Sequence, residues 1–282
     1  MKIKFTCDSS TDLPKELLEK NNIVVKPFTV VLGDEEKKDG IDVTAQDIFN
    51  FVESSKTLPK TTALNEYDLT EFFKEEVEED GLIHFSISSK LSCTYTNAVN
   101  ASKNFDNVYV IDTLNLTSGI GLLILYACEL RDQGLSAKEI VEKVNAKRDK
   151  LQVSFVTYKL DYLHKGGRCS SIALLGANIL KIRPSIILKD GSMGLHKKYM
   201  GKLEKCIEKY IIDTLNEYNT PDYSKVFLTY SSATPEMIET ALKTLEEHAK
   251  FKKVYQTNAS STITSHCGEN TMGIIYFNDG EN

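Results

Sequence analysis

Short apolar runs alternate with amphipathic segments in the first half of the chain, a pattern typical of an α/β fold with a largely parallel sheet. A segment with apolar residues three or four positions apart, such as Leu69, Phe72 and Phe73, predicts one of the intervening helices. The strands predicted in this half lie at residues 2–6, 23–32, 81–87 and 108–111.

A second set of elements follows residue 150. It comprises a hairpin around Asp190-Gly191-Ser192, strands at 153–158, 226–229, 254–257 and 272–277, and helices at 202–218 and 234–249. The length of 282 residues also favours two domains. We therefore predict an N-terminal α/β domain at residues 1–150, with a largely parallel sheet flanked by helices. A C-terminal α/β domain with a mixed sheet is predicted at residues 151–282.

Individual segments add detail to this outline. The helix at Ser118–Asp132 is apolar all round, which predicts deep burial. Ser136 to Glu139 has the pattern of a capping box at the start of a helix. The residues at 57–62, which include Pro59, are predicted as a loop, and so is the segment with His266 ahead of the last strand.

Composition and charge exclude several classes. Apolar residues make up 41% and charged residues 26% of the chain, and the net charge is −6, which argues against a broad nucleic-acid interface. The six cysteines form no CxxC pair and no zinc-type spacing. No signal peptide is recognised at the N-terminus, and the longest apolar run, residues 120–128, is too short to cross a bilayer. We expect a soluble cytoplasmic protein with reduced thiols, no metal and no cofactor.

Hydroxyl groups dominate the loops that follow the predicted strands, at Asp8-Ser9-Ser10, Ser88–Thr94 and Asp112-Thr113. Ligands of open α/β sheets lie at the carboxyl ends of the strands. Hydroxyls together with free amides at a helix N-terminus can bind an anion. Ser92 is the strongest candidate for such a contact, although it could simply cap the helix that follows.

Other polar segments have two readings each. Thr61 and Thr62 follow Lys60 and could face a ligand or belong to an ordinary exposed loop. His266 could act in a site or make local hydrogen bonds only. Lys165-Gly166-Gly167-Arg168 could bind phosphate or form a surface turn. The chain has neither GxxxxGK[ST] nor GxGxxG, so no standard nucleotide-binding motif is present.

Five segments together resemble the DegV family, the fatty-acid-binding component of bacterial fatty acid kinase systems. They keep the family order and span nearly the whole chain. They are Asp8-Ser9-Ser10-Thr11-Asp12-Leu13-Pro14, Lys60-Thr61-Thr62, Ser88-Ser89-Lys90-Leu91-Ser92-Cys93-Thr94-Tyr95, Lys165-Gly166-Gly167-Arg168 and Ser265-His266-Cys267-Gly268.

The resemblance implies two α/β domains with a long-chain fatty acid, such as palmitate, buried between them. It assigns Thr61 and Ser92 to the carboxylate and His266 to the same polar network, and it gives Arg168 a structural or peripheral role. It implies no catalytic residue here: the carrier presents the acid to a separate fatty acid kinase in bacterial phospholipid metabolism. Secondary candidates for ligand contacts are Thr62, Cys93, Thr94 and Arg168.

The chain departs from the family pattern at three places. Cys93 and Asn270 stand where the family usually has glycine. Tyr199-Met200-Gly201-Lys202 occupies the region where the family often carries an arginine followed by threonine, a feature associated with the kinase complex.

We expect an apolar tunnel to supply the affinity for the acyl chain. Its candidate walls, which could equally be ordinary core, are Ile120–Ala127, Ile172, Leu174, Leu175, Ile179 and Leu180. Two other functions stay open. One is a lipid chaperone without a kinase partner. The other is a hydrolase or acyltransferase with Ser92 or Cys93 as nucleophile, His266 as base and Asp8 as orienting group, although no Gly-x-Ser-x-Gly motif surrounds Ser92.

Overall fold

The computed structural model describes residues 2–171 and 182–280. The chain forms two compact units. Unit 1 comprises Met1–Thr44, Pro59–Asp149 and Ser260–Thr262, and unit 2 comprises Ala45–Leu58, Lys150–Ala259 and Ile263–Asn282. Neither unit is one continuous segment, because residues 45–58 of the first half belong to unit 2 and residues 260–262 of the second half belong to unit 1. A division into domains at 1–150 and 151–282 stays a prediction.

The elements up to residue 149 mostly alternate between strands and helices. In chain order they are β1 (Lys4–Asp8), α1 (Lys15–Lys20), β2 (Ile23–Lys26), β3 (Thr29–Leu32), β4 (Glu35–Lys38), α2 (Ala45–Ser55, in unit 2), β5 (Lys60–Thr62), α3 (Glu66–Glu76), β6 (Leu82–Ser86), α4 (Thr94–Ser102), β7 (Val108–Asp112), α5 (Ser118–Asp132) and α6 (Ala137–Arg148).

Four strands of unit 1 form a wholly parallel sheet in the order β2-β1-β6-β7. The chain leaves β1 toward β2 on one side and later returns on the other side as β6, so the strand order reverses between β1 and β6. In open α/β sheets this switch point, at the carboxyl ends of the strands, is where ligands bind. The fold therefore places the end of β1 and the segment after β6 at the favoured position for a site.

The predicted strand at 23–32 is wrong in one respect, because it is two strands. β2 joins the parallel sheet, whereas β3 pairs with β4 and β5 in a separate antiparallel sheet of three strands. Pro27 and Phe28 separate them. Proline has no amide hydrogen to donate to a neighbouring strand and restricts the residue before it, so the chain changes sheet there.

The predicted loop at 57–62 is also wrong at its end. Lys60–Thr62 is β5, which pairs antiparallel with β3, and Thr61 lies opposite Val30. The strand has only three residues, and its partner lies about thirty positions earlier in the chain. Pairing of this kind leaves no local periodicity, so a sequence pattern cannot reveal it.

The helices α5 and α6 confirm two detailed predictions. α5 spans Ser118–Asp132 as expected and is buried along most of its length. Its close packing is visible at Gly121, where an added Cβ would lie 2.7 Å from Leu13 Cδ2. Ser136 and Glu139 form the predicted capping box at the start of α6.

Unit 2 contains most of the remaining elements. These are β8 (Leu151–Val156), α7 (Asp161–Gly166), β9 (Arg183–Lys189), β10 (Ser192–Tyr199), α8 (Leu203–Glu217), β11 (Val226–Tyr230), α9 (Pro235–His248), β12 (Val254–Asn258), α10 (Ser261–Cys267) and β13 (Met272–Phe277). The first two residues of α10 belong to unit 1.

The six strands of unit 2 form one mixed sheet in the order β10-β9-β8-β13-β11-β12. Successive residues of a strand point to opposite faces, and Phe155 and Val156 of β8 accordingly belong to two different apolar clusters. The larger cluster includes Tyr210 of α8 and Met237 of α9, and the smaller includes Leu163 of α7. The predicted fold class, with a parallel sheet first and a mixed sheet second, is confirmed.

The segment with His266 is a helix and not the predicted loop. Ser261–Cys267 forms α10, with His266 in its last turn. The amides of Ser261 and Thr262 donate to the Asp39 carboxylate at 2.8 and 3.2 Å. The acceptor for the first turn of this helix thus lies more than two hundred residues away in the sequence, although Ser260, a residue type that favours helix N-caps, directly precedes the helix.

Three further predictions concern the chain as a whole. Within residues 2–171 and 182–280, no helix is long and apolar enough to cross a membrane. The same residues contain no group of three or more His, Cys, Asp or Glu side chains placed to hold a metal ion. Five candidate tunnel residues lie outside the described residues: Ile172, Leu174, Leu175, Ile179 and Leu180.

Candidate functional site

Asp8 occupies the switch point of the parallel sheet. It is the last residue of β1, so it belongs to the strand and not to the predicted loop after it. Its side chain is completely buried and accepts hydrogen bonds from the Ile87 amide at 2.7 Å and the Ser10 amide at 3.1 Å. The Ser10 hydroxyl donates to the same carboxylate. Asp8 therefore joins the ends of β1 and β6, and both of its oxygens are occupied.

Two more buried carboxylates lie near Asp8. Asp12 accepts from the Thr117 hydroxyl at 2.5 Å and the Ser260 amide at 2.8 Å, and Asp39 accepts from the Ser9 hydroxyl at 2.8 Å. Burial raises the pKa of Asp8 to about 6 and that of Asp12 to about 7, and the charge of Asp39 adds to both shifts. The partners named here are neutral amides and hydroxyls, which favour the charged form of each carboxyl and partly offset the effect of burial.

The turn after β6 is held in place by backbone and carboxylate contacts. The Ser88 amide donates to the Asn115 carbonyl at 2.9 Å, and the Ser89 amide donates to Asp112 Oδ1 at 3.1 Å. The Leu91 and Ser92 amides both donate to the Ser88 carbonyl. This turn leads directly into α4, so the position of Ser92 is set by the ends of both β6 and β7.

Ser92 and Thr94 form a pair of hydroxyls at the start of α4. Their oxygens are 2.9 Å apart, and the Thr94 amide donates to Ser92 Oγ at 3.2 Å. Thr94 is completely buried, whereas Ser92 is partly exposed. The N-cap residue of α4 is Cys93, which makes no side-chain cap. Ser92 therefore satisfies one amide of the first turn, as the capping interpretation expected, while the residue stays partly exposed.

The segment that carries Thr61 is bonded directly to this hydroxyl pair. Leu64 donates its amide to Thr94 Oγ1 at 3.2 Å, and its carbonyl accepts from Asn97 Nδ2 at 2.7 Å. Thr61 lies on β5, three residues before Leu64, and is half-buried. The structure thus brings together the two segments, distant in sequence, that the hydroxyl pattern and the resemblance selected.

The secondary candidates near Ser92 differ in exposure. Thr62 and Cys93 are exposed, whereas the Thr94 hydroxyl is buried and bonded within the protein. At Cys93 the backbone φ is −77°, so a residue with a side chain fits there without strain. A direct ligand contact is therefore compatible with Thr62 or Cys93, while Thr94 acts on its neighbours.

His266 and Arg168 come together in unit 2. The ring of His266 lies against Gly166, where an added Cβ would be 2.8 Å from Nδ1, and Arg168 donates to the Gly166 carbonyl at 2.6 Å. Burial, with a contribution from the nearby Arg168 charge, lowers the pKa of His266 to about 4. The imidazole is therefore neutral at pH 7 and can offer a hydrogen bond but no charge.

The glycine-rich stretch after His266 shows why one departure from the family pattern is tolerated. Asn270 has φ +55°, a left-handed conformation that asparagine adopts more readily than most residues. Gly268 has φ +72° and packs so closely on Tyr162 that an added Cβ would lie 2.6 Å from Cδ2. Glycine is therefore required at position 268, whereas asparagine can replace glycine at position 270.

Three structural residues of the site were missed by the analysis of the sequence. Leu64 and Asn97 link the Thr61 segment to the Ser92 turn, and Asp39 holds the first turn of α10. None of them belongs to a motif, and their partners are 30, 33 and 222 positions away. Only a signal of spatial proximity, such as covariation between positions, could have identified them from sequences.

The chain is similar to known proteins over nearly its whole length. A family model described as "Uncharacterised protein, DegV family" matches residues 2–279. A DegV domain-containing protein from Staphylococcus aureus is 30% identical over 273 residues, which cover 95% of this chain and 96% of that protein. Similarity at this level over nearly the full length of both chains extends the resemblance far beyond the five short segments.

Solved structures give the same result. A fatty-acid-binding DegV family protein from Thermus thermophilus is 25% identical, with a TM-score of 0.90 over 98% of this chain and 99% of that one. A stearic acid-binding protein from Eubacterium ventriosum is 26% identical, with a TM-score of 0.86 over 98% of each chain. The family predicted from the motifs is confirmed, and this chain belongs to the DegV family.

Proposed function

We propose that this chain binds a long-chain fatty acid and holds its ionised carboxylate with the hydroxyls of Thr61 and Ser92. The observation that carries the proposal is the direct bond between the two hydroxyl-bearing segments, made by the Leu64 amide and Thr94. It is supported by the similar proteins from Thermus thermophilus and Eubacterium ventriosum, which are described as binding fatty acid and stearic acid.

The head group sets orientation and contributes little net affinity. A carboxylate removed from water is costly unless it is hydrogen-bonded. Each hydrogen bond to a charged group returns about 1.5–3 kcal/mol, and the N-terminus of α4, which begins at Thr94, adds about 0.3–1 kcal/mol. Contacts from Thr61, Ser92 and the first turn of α4 therefore roughly offset the cost of desolvation.

The acyl chain supplies the affinity. Burial of one CH₂ group is worth about 0.8 kcal/mol, so a palmitoyl chain offers on the order of 11 kcal/mol before losses of ligand entropy. We propose α5 as one wall of the tunnel, because the helix is apolar on most of its surface. Ile120, Leu123 and Ile124 on it are completely buried, so an acyl chain that lies against them must displace side chains that now pack there. A site of this kind binds the whole class of long-chain acids and discriminates mainly by length and shape.

The wider role is a carrier role. The chain would present the carboxylate to a separate fatty acid kinase, which forms the acyl phosphate, so the phosphoryl-transfer chemistry belongs to that partner. Thr62, Cys93, His266 and Arg168 are proposed as further contacts around the head group. His266, neutral at pH 7, would add a hydrogen bond to that network.

Analysis of co-purified lipid tests the proposal most directly. We expect mass spectrometry of solvent extracts from purified wild-type protein to find a fatty acid. In the Thr61→Ala, Ser92→Ala double variant its amount should fall at least tenfold, because two hydrogen bonds to the charged head are removed. Thr96→Ala, at an exposed position two residues into α4, is the matched control and should keep the ligand.

Two results would contradict the proposal. One is a wild-type protein that neither co-purifies with nor takes up a fluorescent fatty acid. The other is a double variant that binds like the control. A phosphorylation assay with a fatty acid kinase from the same genome then separates the carrier from a stand-alone lipid chaperone, since only the carrier supports acyl-phosphate formation.

The hydrolase alternative is less well supported by the geometry. The bonds of Ser92 Oγ within the described residues run to the amide and hydroxyl of Thr94, and neither is a general base. Asp8 is committed to the Ile87 and Ser10 amides. Turnover of nitrophenyl acyl esters that disappears in Ser92→Ala or Cys93→Ala would nevertheless establish it.

A further inference from the structure

Resting on the proposed function, we infer that Thr94 is a positioning residue that fixes the Ser92 hydroxyl as a hydrogen-bond donor. It does so through a relay from the Leu64 amide to the Thr94 hydroxyl and on to Ser92. The relay makes the site selective for an ionised head group over a neutral one.

The direction of the relay follows from the atoms that can only donate. The Leu64 amide has one hydrogen and gives it to Thr94 Oγ1 at 3.2 Å. The Thr94 amide likewise gives its hydrogen to Ser92 Oγ at 3.2 Å. The remaining contact, 2.9 Å between the two hydroxyl oxygens, can run either way, because each hydroxyl can donate one hydrogen and accept two.

Burial decides between the two directions. If Ser92 donated to Thr94, the hydroxyl hydrogen of Thr94 would need another acceptor, and Thr94 is completely buried with no further partner among the described residues. A buried hydroxyl without an acceptor carries a substantial penalty. If Thr94 donates to Ser92, the buried hydroxyl of Thr94 has both a donor and an acceptor as partners, so this is the favoured arrangement.

The consequence lies in the hydrogen of Ser92. With both acceptor positions of Ser92 Oγ filled by Thr94, its own hydrogen is left over and must point away from Thr94. Ser92 is partly exposed, so that hydrogen is available to a ligand. Hydrogen bonds in a chain polarise one another, and an ionised carboxylate is an acceptor-only group that gains most from such a donor. A fatty alcohol gains no charge-assisted bond.

Binding assays with a charged and a neutral ligand of equal length test the inference. We expect the wild-type protein to bind palmitate more tightly than hexadecanol. Thr94→Val removes the hydroxyl at similar volume and should reduce this preference roughly tenfold, the loss of about one hydrogen bond to a charged group. Thr94→Ser, which restores the hydroxyl, should return it to within about twofold of wild type, and Thr96→Val is the matched control.

A spectroscopic measurement gives a readout that a purely structural role would not move. The carbon-13 shift of carboxyl-labelled palmitate, followed against pH, reports the pKa of the bound acid. We expect a value below that of the acid in water for the wild type and a higher value for Thr94→Val, since the donor stabilises the charged form. The wild-type titration stays informative even if the valine variant does not fold.

The outcomes separate the inference from the proposed function. Failure of the wild type to bind palmitate would overturn both. Tight binding of palmitate with an unchanged preference in folded Thr94→Val, or with a carboxyl pKa at or above its value in water, would overturn the relay alone.

Discussion

Asp39 connects residues far apart in the sequence. Its replacement should therefore lower the stability of unit 1, although Asp39 belongs to no recognised sequence motif. Its carboxylate accepts from the Ser261 amide at 2.8 Å, the Thr262 amide at 3.2 Å and the Ser9 hydroxyl at 2.8 Å. Asp39 itself is 3% exposed, and Ser261 and Thr262 are 2% and 5% exposed. We predict that Asp39→Ala is strongly destabilising.

The magnitude follows from the donors that lose their acceptor. A buried amide left without a partner costs about 1–3 kcal/mol, and two such amides stand at the start of α10. Ser9 is less affected, because its hydroxyl can rotate. Removing a negative charge close to Asp8 and Asp12 returns part of the loss. The expected net change in the free energy of unfolding is about 2–4 kcal/mol, and about 1–2 kcal/mol for Asp39→Asn, which keeps one acceptor oxygen.

Urea denaturation followed by circular dichroism measures this difference, with Asp34→Ala as the matched control. Asp34 is an exposed carboxylate of the neighbouring hairpin, and its loss should change stability by less than about 0.5 kcal/mol. Amide hydrogen exchange adds a local readout, because the Ser261 and Thr262 amides should exchange faster in Asp39→Ala. Equal stability of the two alanine variants, or unchanged exchange at these amides, would refute the assignment of Asp39 as the acceptor for α10.

Two further predictions concern the pH dependence of stability and a glycine. Burial raises the pKa of Asp12 to about 7 from the ordinary 3.8, so its contribution to stability is complete below the unfolded value and is lost as the pH rises through 7. Urea midpoints should therefore fall between about pH 4 and about pH 7, and Asp12→Asn should flatten this slope; an equally steep slope in the variant would exclude Asp12 as its source. Gly268→Ala should destabilise by about 3 kcal/mol, against about 1 kcal/mol for Gly167→Ala, because both glycines have positive φ but only Gly268 meets a ring, that of Tyr162. Equal losses in a thermal melt would show that the ring contact is unimportant.

The parts of the fold that could be predicted from the sequence are those whose stabilising contacts are local. The capping box of α6 lies within four residues, and the uniform apolar character of α5 announces its burial without reference to a partner. The strands of the two main sheets are visible as short apolar runs, which is why the fold class was correct.

Two of the three elements that were predicted wrongly share one physical cause. β3 leaves the parallel sheet, β5 pairs with it at a distance, and α10 is capped from a distant loop. β5 and the first turn of α10 bond to residues that are remote in sequence, which a local pattern does not show. β3 differs, because it pairs with the adjacent β4 as well as with β5, and Pro27 marks the break before it. The helix that contains His266 was predicted as a loop because its seven residues are too few to show a clear apolar periodicity.

In the candidate site, too, only the features with a local signal in the sequence could be predicted from it. Composition alone indicated that the loop around Ser92 could bind an anion, because hydroxyls and a helix N-terminus are local features. That Thr61 lies on a segment bonded to the same loop was accessible only through the family resemblance. Neither the composition nor the family resemblance could predict the relay from Leu64, because this apolar residue contributes its backbone amide and not its side chain.

This last point bears on how the site tolerates substitution. A backbone donor is retained whatever residue stands at position 64 except proline, so the relay constrains the side chain of Thr94 and leaves that of Leu64 free to serve the core, where it is 5% exposed. Under the proposed function, specificity for the charged head depends on the backbone amide of Leu64 and the side chain of Thr94, whereas stability of the core depends on the side chain of Leu64. Apolar residues that would contact the proposed acyl chain can thus be substituted during evolution while the direction of the hydrogen bonds at Ser92 is preserved.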